Sequence, residues 1–116
     1  MTDQPRPPGT TTIDPGVLLT IARLTTLAVE GVSRLSPAPA GVNRLFRKGY
    51  DQGVHVQVED SRVDVDIYVI LHSGTNVRQV SRKIQQEVAR AISDMVGMDV
   101  GRINIHIEDI DFPNGD

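Results

Sequence analysis

The chain has 116 residues, a formal net charge of −3 and no cysteine. That length gives one domain with a modest core, and the lack of cysteine excludes disulfides, thiol nucleophiles and cysteine-held zinc or iron–sulfur sites. With two Phe, two Tyr and no Trp, packing rests on Val, Ile and Leu, and the acidic balance gives no overall attraction to nucleic acid or anionic lipid.

Residues 1–12 (MTDQPRPPGTTT) are polar and proline-rich. They lack the apolar core of a secretory signal and read as a disordered tail. The folded domain is expected over residues 13–112, with a short tail at 113–116. No apolar run approaches the length needed to span a bilayer. Asp14 followed by Pro15 is a strong helix start, because Asp caps free amides and Pro loses no bond at the first helical position. Val17, Leu18, Ile21, Leu24, Leu27 and Ala28 recur at helical spacing, predicting a helix over residues 15–30 that stops at Gly31. Within residues 31–53, Ser36, Pro37, Ala38 and Pro39 break regular structure. Residues 42–48 (VNRLFRK) suit one or two helical turns, with Val42, Leu45 and Phe46 facing inward.

Residues 54–59 read as a short strand and 62–71 (RVDVDIYVIL) as a longer one with strict apolar–polar alternation. A two-residue turn at Asp60 and Ser61 sets Glu59 opposite Arg62, Val58 opposite Val63, Gln57 opposite Asp64, Val56 opposite Val65, His55 opposite Asp66 and Val54 opposite Ile67. This register places every Val on one face and opposite charges together on the other. Asn76 then caps a second helix, whose inner stripe is Val77, Val80, Ile84, Val88, Ala91, Ile92 and Met95. Gly97 ends it, and a last strand from about Met98 turns Ile103, Ile105 and Ile107 inward. The expected fold is α+β, helix-strand-strand-helix-strand. Its three-stranded mixed sheet carries both main helices on one face, with a right-handed crossover between the second and third strands.

Several side-chain groups invite a functional reading. His55, Asp66 and His106 share the outer sheet face with Glu108 nearby, a donor set that suits zinc but equally suits a hydrated polar face. Asp64 and Asp66 point the same way along one strand, an acid–base geometry without an evident nucleophile or pocket. Arg78, Arg82, Lys83 and Arg90 make the exposed side of the second helix basic, and Arg44, Arg47 and Lys48 form another cluster. Such surfaces contact anionic lipid or RNA, or are solvated faces balanced by acids such as Glu87. Finally, Tyr68 and Ile70 on one strand and Ile110 and Phe112 on the last are expected to converge on the outer face as an apolar patch that wants a partner. Two alternatives stand beside the patch. A β-bulge near residues 108–109 would return Ile110 and Phe112 to the core, or the 31–50 segment would cover Tyr68 and Ile70.

Read together, five local patterns resemble the alkaline shock protein family of Gram-positive-type bacteria. They are Ile13, Asp14 and Val17, closed by AVEGV at residues 28–32; GVHVQV at 53–58; VDIYV at 65–69; GTNV at 74–77; and VGRINIHIEDID at 100–111. The resemblance spans nearly the whole folded part and departs from the family at residues 33–50. It implies a non-enzymatic envelope stress response protein without catalytic residues, and no metal, cofactor or small-molecule substrate is expected. Such a protein is cytoplasmic, self-associating and recruited to the membrane by a small membrane-anchored partner. It implies, as an alternative, a regulator of fatty-acid synthesis that binds a biosynthetic enzyme. An RNA-binding module is a third class, but the aromatic stacking platform and Gly-x-x-Gly clamp of RNA-binding folds are missing, so nucleic acid is not an expected partner.

Overall fold

The computed structural model describes residues 14–37, 50–51 and 53–113. The expected tail at 1–12 and the turns at 42–48, with Arg44, Arg47 and Lys48, lie outside these residues. Helix α1 runs Pro15–Leu27, with the Asp14 carboxylate accepting the Gly16 N–H at 2.9 Å. It stops earlier than its spacing predicts, at an Ala28 cap, and Gly31 (φ 103°) then turns the chain into strand β1, Val32–Leu35. A Cβ on Gly31 would lie 2.7 Å from Val80 Cγ2, so the turn also needs glycine for close packing. Strands β2 (Tyr50–Asp51), β3 (Val54–Glu59) and β4 (Arg62–His72), helix α2 (Val77–Val96) and strand β5 (Asp99–Asp111) follow.

The β3–β4 hairpin has the register derived from the sequence, Val54 opposite Ile67 through Glu59 opposite Arg62. Its turn holds Asp60 at φ 57°, a left-handed conformation that Asp tolerates better than most residues. Beyond the hairpin, β4 continues as far as His72, and the backbone groups of that extension need partners. Strand β1 supplies them, pairing antiparallel with Val69–Leu71 on the edge that β3 has vacated. Strand β2 adds to the far side of β3. Among the described residues the sheet therefore has five strands, two more than the three expected. The extra two are short and carry too few residues to show a period of two.

β1 and β3 meet end to end across Tyr68. Its N–H donates to Gly53 O at 2.7 Å, and its O accepts the Ser36 N–H at 2.8 Å. Gly53 sits there at φ 89°, and a Cβ on it would lie 2.5 Å from Ser36 O. On the opposite edge, β5 runs parallel to β4 over its whole length. The pairing shifts twice, between Val63 and Val65 and between Val69 and Ile70. Each shift places an extra residue on β5, so the inward set reads Val100, then Ile103, Ile105 and Ile107, then Ile110. Aliphatic spacing widens from two to three at both bulges, which keeps every aliphatic facing the core. Asp64 Oδ1 accepts the Arg102 N–H at 2.7 Å at the first bulge.

The inner sheet face packs against both helices. Leu18 of α1 and Ile84 and Ile92 of α2 are fully buried against Val63, Val65, Ile67, Val69 and Leu71. Burying each such side chain stabilises by about 1.5–3 kcal/mol before conformational entropy is counted. Asn76 caps α2, accepting the Gln79 N–H at 3.0 Å, and Gly97 ends it at φ 75°. The stripe of α2 is shorter than its spacing suggests: Val80, Ile84, Val88 and Ile92 are buried, while Val77 and Met95 are exposed at its two ends. Helix α1 is rotated from the expected stripe. It buries Leu18, Leu19, Ala22 and Thr26, leaving Val17, Leu24 and Leu27 exposed. Its sequence is so uniformly apolar that periodicity alone does not select the inward face.

Candidate functional site

Asp66 is the centre of the polar network on the outer sheet face. Its Oδ1 lies 3.0 Å from His106 Nε2 and accepts from Asn104 Nδ2 at 3.1 Å, both from β5, while His55 Nδ1 of β3 lies 3.7 Å from Oδ2. Partial burial pushes the carboxyl pKa up. Hydrogen bonds from His106 and Asn104, the nearby His106 charge and the His55 contact outweigh this and hold it below 3.8. The His106 ring stacks on Tyr68, with centroids 4.4 Å apart and planes 14° from parallel. Burial, and then the charges of Asp66 and Glu108, push the Tyr68 phenol up. Asp64 is committed separately, to the Arg102 N–H and to Arg62 at 3.4 Å. The two carboxylates therefore do not form an acid–base pair. Among the described residues no group of three or more His, Asp or Glu is placed to hold a metal ion.

The four residues of the expected apolar patch do not come together. The bulge at residue 108 sets Ile110 opposite Leu71, on the inner face and against the core. Tyr68 stays on the outer face under the His106 ring. Ile70, on the same face, is only 7% exposed. Phe112 follows the end of β5 and is 65% exposed. The bulge alternative thus accounts for Ile110, and Phe112 remains a free aromatic. Near it, the Ser33 hydroxyl donates to Asp111 Oδ2 at 2.6 Å and Arg34 lies 3.2 Å away, tying β1 to the end of β5. The Ser33 bond, ahead of an opposing desolvation effect and the Arg34 charge, holds the Asp111 carboxyl down.

The other large surface is the back of the helix layer. On α2, Arg78, Arg82, Lys83 and Arg90 are all exposed. Glu87 is drawn to Lys83 at 3.4 Å and to Arg90 at 3.7 Å. Arg78 and Arg82 make no ion pair among the described residues. Beside them the back of α1 presents Val17, Thr20, Leu24 and Leu27, all exposed, with Leu24 55% accessible. The basic half of this surface is legible in the sequence, whereas Val17, Leu24 and Leu27 belong to the helical spacing from which the inward stripe of α1 is expected. A cavity of about 360 Å³ opens between the end of α1 and β1, lined by Arg23, Leu27, Arg34, Leu35, Ser36 and Pro37.

Residues 3–112 match the model of the alkaline shock protein 23 family, described as having a cell envelope-related function. Among curated proteins the chain is similar to two uncharacterized Bacillus subtilis proteins. It is 27% identical to YqhY, covering 90% of this chain and 78% of that one. It is 24% identical to YloU, covering 74% and 72%. An uncharacterized Streptococcus pyogenes protein, Spy1614, is 28% identical over 71% of this chain and 69% of its own. Among solved structures the fold is similar to MamM-CTD, with a TM-score of 0.51 at 11% identity, covering 81% of this chain and 96% of that one.

Proposed function

Because the chain belongs to the alkaline shock protein 23 family, of cell envelope-related function, we propose that it is a non-enzymatic scaffold of the envelope stress response. In this reading it lies on the cytoplasmic side, associates with itself and is recruited to the membrane by a membrane-anchored protein. No helix among the described residues is long and apolar enough to cross a membrane, which is in keeping with recruitment by a second protein. The observation that carries self-association is β5. It is 13 residues long, and among the described residues only one of its edges is paired, that against β4. A long edge strand is a template for strand addition by another chain. The exposed Phe112 at its end supplies an apolar anchor.

Sedimentation velocity over a wide concentration range tests this. The expected result is assembly that grows with concentration and weakens about tenfold in Phe112→Asp, the loss of an aromatic contact of moderate strength. A strict monomer at every concentration would overturn self-association. Fractionation of cells, followed by crosslinking and identification of the membrane-anchored protein, tests recruitment. If the membrane-bound fraction crosslinks to no membrane protein, partner-mediated recruitment fails.

A further inference from the structure

The back of the helix layer combines two surfaces that a single aqueous face seldom combines. On α1, the residues opposite the buried Leu18, Leu19, Ala22 and Thr26 are Val17, Thr20 and Leu24, with Leu27 beside them, and none carries a charge. On α2, the residues opposite the buried Val80, Ile84, Val88 and Ile92 are Arg78, Gln79, Arg82, Lys83, Gln86 and Arg90. Glu30, at the end of α1, lines a cavity with Gln79 and Lys83, so Arg78 and Arg82 are the members of the row that stand clear of acids among the described residues. Glu87 lies to its flank under Lys83 and Arg90, and Asp94 lies beyond its end. Arg78 and Arg90 are twelve residues apart, about 18 Å along the helix axis. Both helices pack on the same sheet face, so an apolar strip and a cationic strip lie side by side, facing away from the sheet.

We infer that this face docks directly on an anionic bilayer surface, with Leu24, Val17 and Leu27 entering the headgroup–acyl boundary and Arg78 and Arg82 on lipid phosphates, while Lys83 and Arg90 stay with Glu87. Charge complementarity selects this occupant. The cations lie on a chain whose overall charge is −3, so the attraction is local to this face and orients the molecule. A second copy of the chain is a poorer fit. Its outer sheet face, with Asp64, Asp66 and Glu108, would meet the arginines, but its apolar groups are Tyr68, stacked under His106, and Phe112 at the end of β5, which form no continuous strip to cover Leu24 and Val17. A bilayer interface supplies phosphate and hydrocarbon a few ångströms apart, which matches both strips. The inference goes beyond the scaffold reading and rests on it only for proximity to the membrane. A weak lipid contact and a protein partner together make the two signals that stable peripheral attachment needs.

The test is co-sedimentation of the full chain with vesicles of phosphatidylglycerol and phosphatidylcholine, and with phosphatidylcholine alone. Binding is expected only to the anionic vesicles. It should weaken about thirtyfold in the Arg78→Gln, Arg82→Gln double variant, since each cation near an anionic surface contributes about fivefold. Leu24→Gln should weaken it about tenfold. These positions are exposed, and unchanged urea midpoints confirm folding. The chain has no Trp, so Leu24→Trp is a clean reporter whose emission should move to the blue on anionic vesicles. Absence of binding, equal binding to both vesicles, unchanged emission or indifference to the arginine variant would each overturn the inference. Loss of self-assembly without lipid in the arginine variant would also overturn it, by assigning the face to a second copy. Failure of vesicle binding with intact concentration-dependent assembly removes this inference alone and leaves the scaffold reading in place.

Discussion

Asp66 shows how one side chain can organise a face without being a reactive group. Its carboxylate is shared by β3 and β5 through His55, His106 and Asn104, so it staples both neighbours to the central strand. Its folded-state pKa lies below the ordinary 3.8. The stabilisation is therefore fully present above about pH 4 and is lost as pH falls through the lowered value. Asp66→Asn is expected to cost about 1–2 kcal/mol at pH 7 and to flatten the acid limb of a stability–pH curve measured by urea unfolding. An unchanged acid limb would show that Asp111, also held down, dominates that window. At Thr26 the opposite holds. The residue is fully buried, and among the described residues its hydroxyl has no hydrogen-bond partner. Thr26→Val keeps the shape and removes the unsatisfied group, so an increase of about 1 kcal/mol in unfolding free energy is expected.

At the scale of elements, the junction of β1 and β3 depends on Gly53. An alanine there adds a Cβ against two backbone oxygens, Ser36 O and Tyr68 O, in a left-handed conformation. Gly53→Ala should lower stability by about 2 kcal/mol or more, read as a lower urea midpoint. A change below half that would mean that β1 and β3 separate without cost. Strand β5 shows how a bulge is written in a sequence. Both of its bulges, near residue 108 and at 101–102, appear as an aliphatic spacing of three in an alternating run. Helix α2 was legible because polar residues surround its stripe. Helix α1 was not, because apolar residues surround it and the burial pattern then depends on what packs against it.

At the scale of the molecule, the bulge at residue 108 changes which surface is open to partners. By turning Ile110 inward, it dissolves the four-residue patch and leaves Phe112 as its exposed member. Ile70, being buried, is a poor probe of assembly: Ile70→Asp would place a charge in an apolar environment and lower stability by about 3 kcal/mol. Phe112→Asp should leave the urea midpoint within about 0.5 kcal/mol of the parent while weakening assembly. If both variants lose stability equally, Phe112 belongs to the fold and not to an interface. The helix-layer back and the β5 edge are separate surfaces, so the arginine variant should assemble without lipid as the parent does, and adding it to Phe112→Asp should not weaken assembly further.

The order of the two helices and the three longer strands, the hairpin register, the N-caps of both helices and the parallel pairing of β4 and β5 were all legible in the sequence. These follow from interactions near in sequence or from a strict period along a strand, and no distant residue is needed to choose among alternatives. Which side of α1 is inside, that β1 completes the far end of β4, and where Ile110 and Ile70 reside follow from packing between distant segments. Each of those depends on a partner surface from another part of the chain, whose position no local pattern encodes. The functional face follows the same division. The arginines of α2 were visible as a basic stripe, whereas the apolar strip beside them exists only because α1 turns Leu18 and Ala22 to the sheet and leaves Val17 and Leu24 outside.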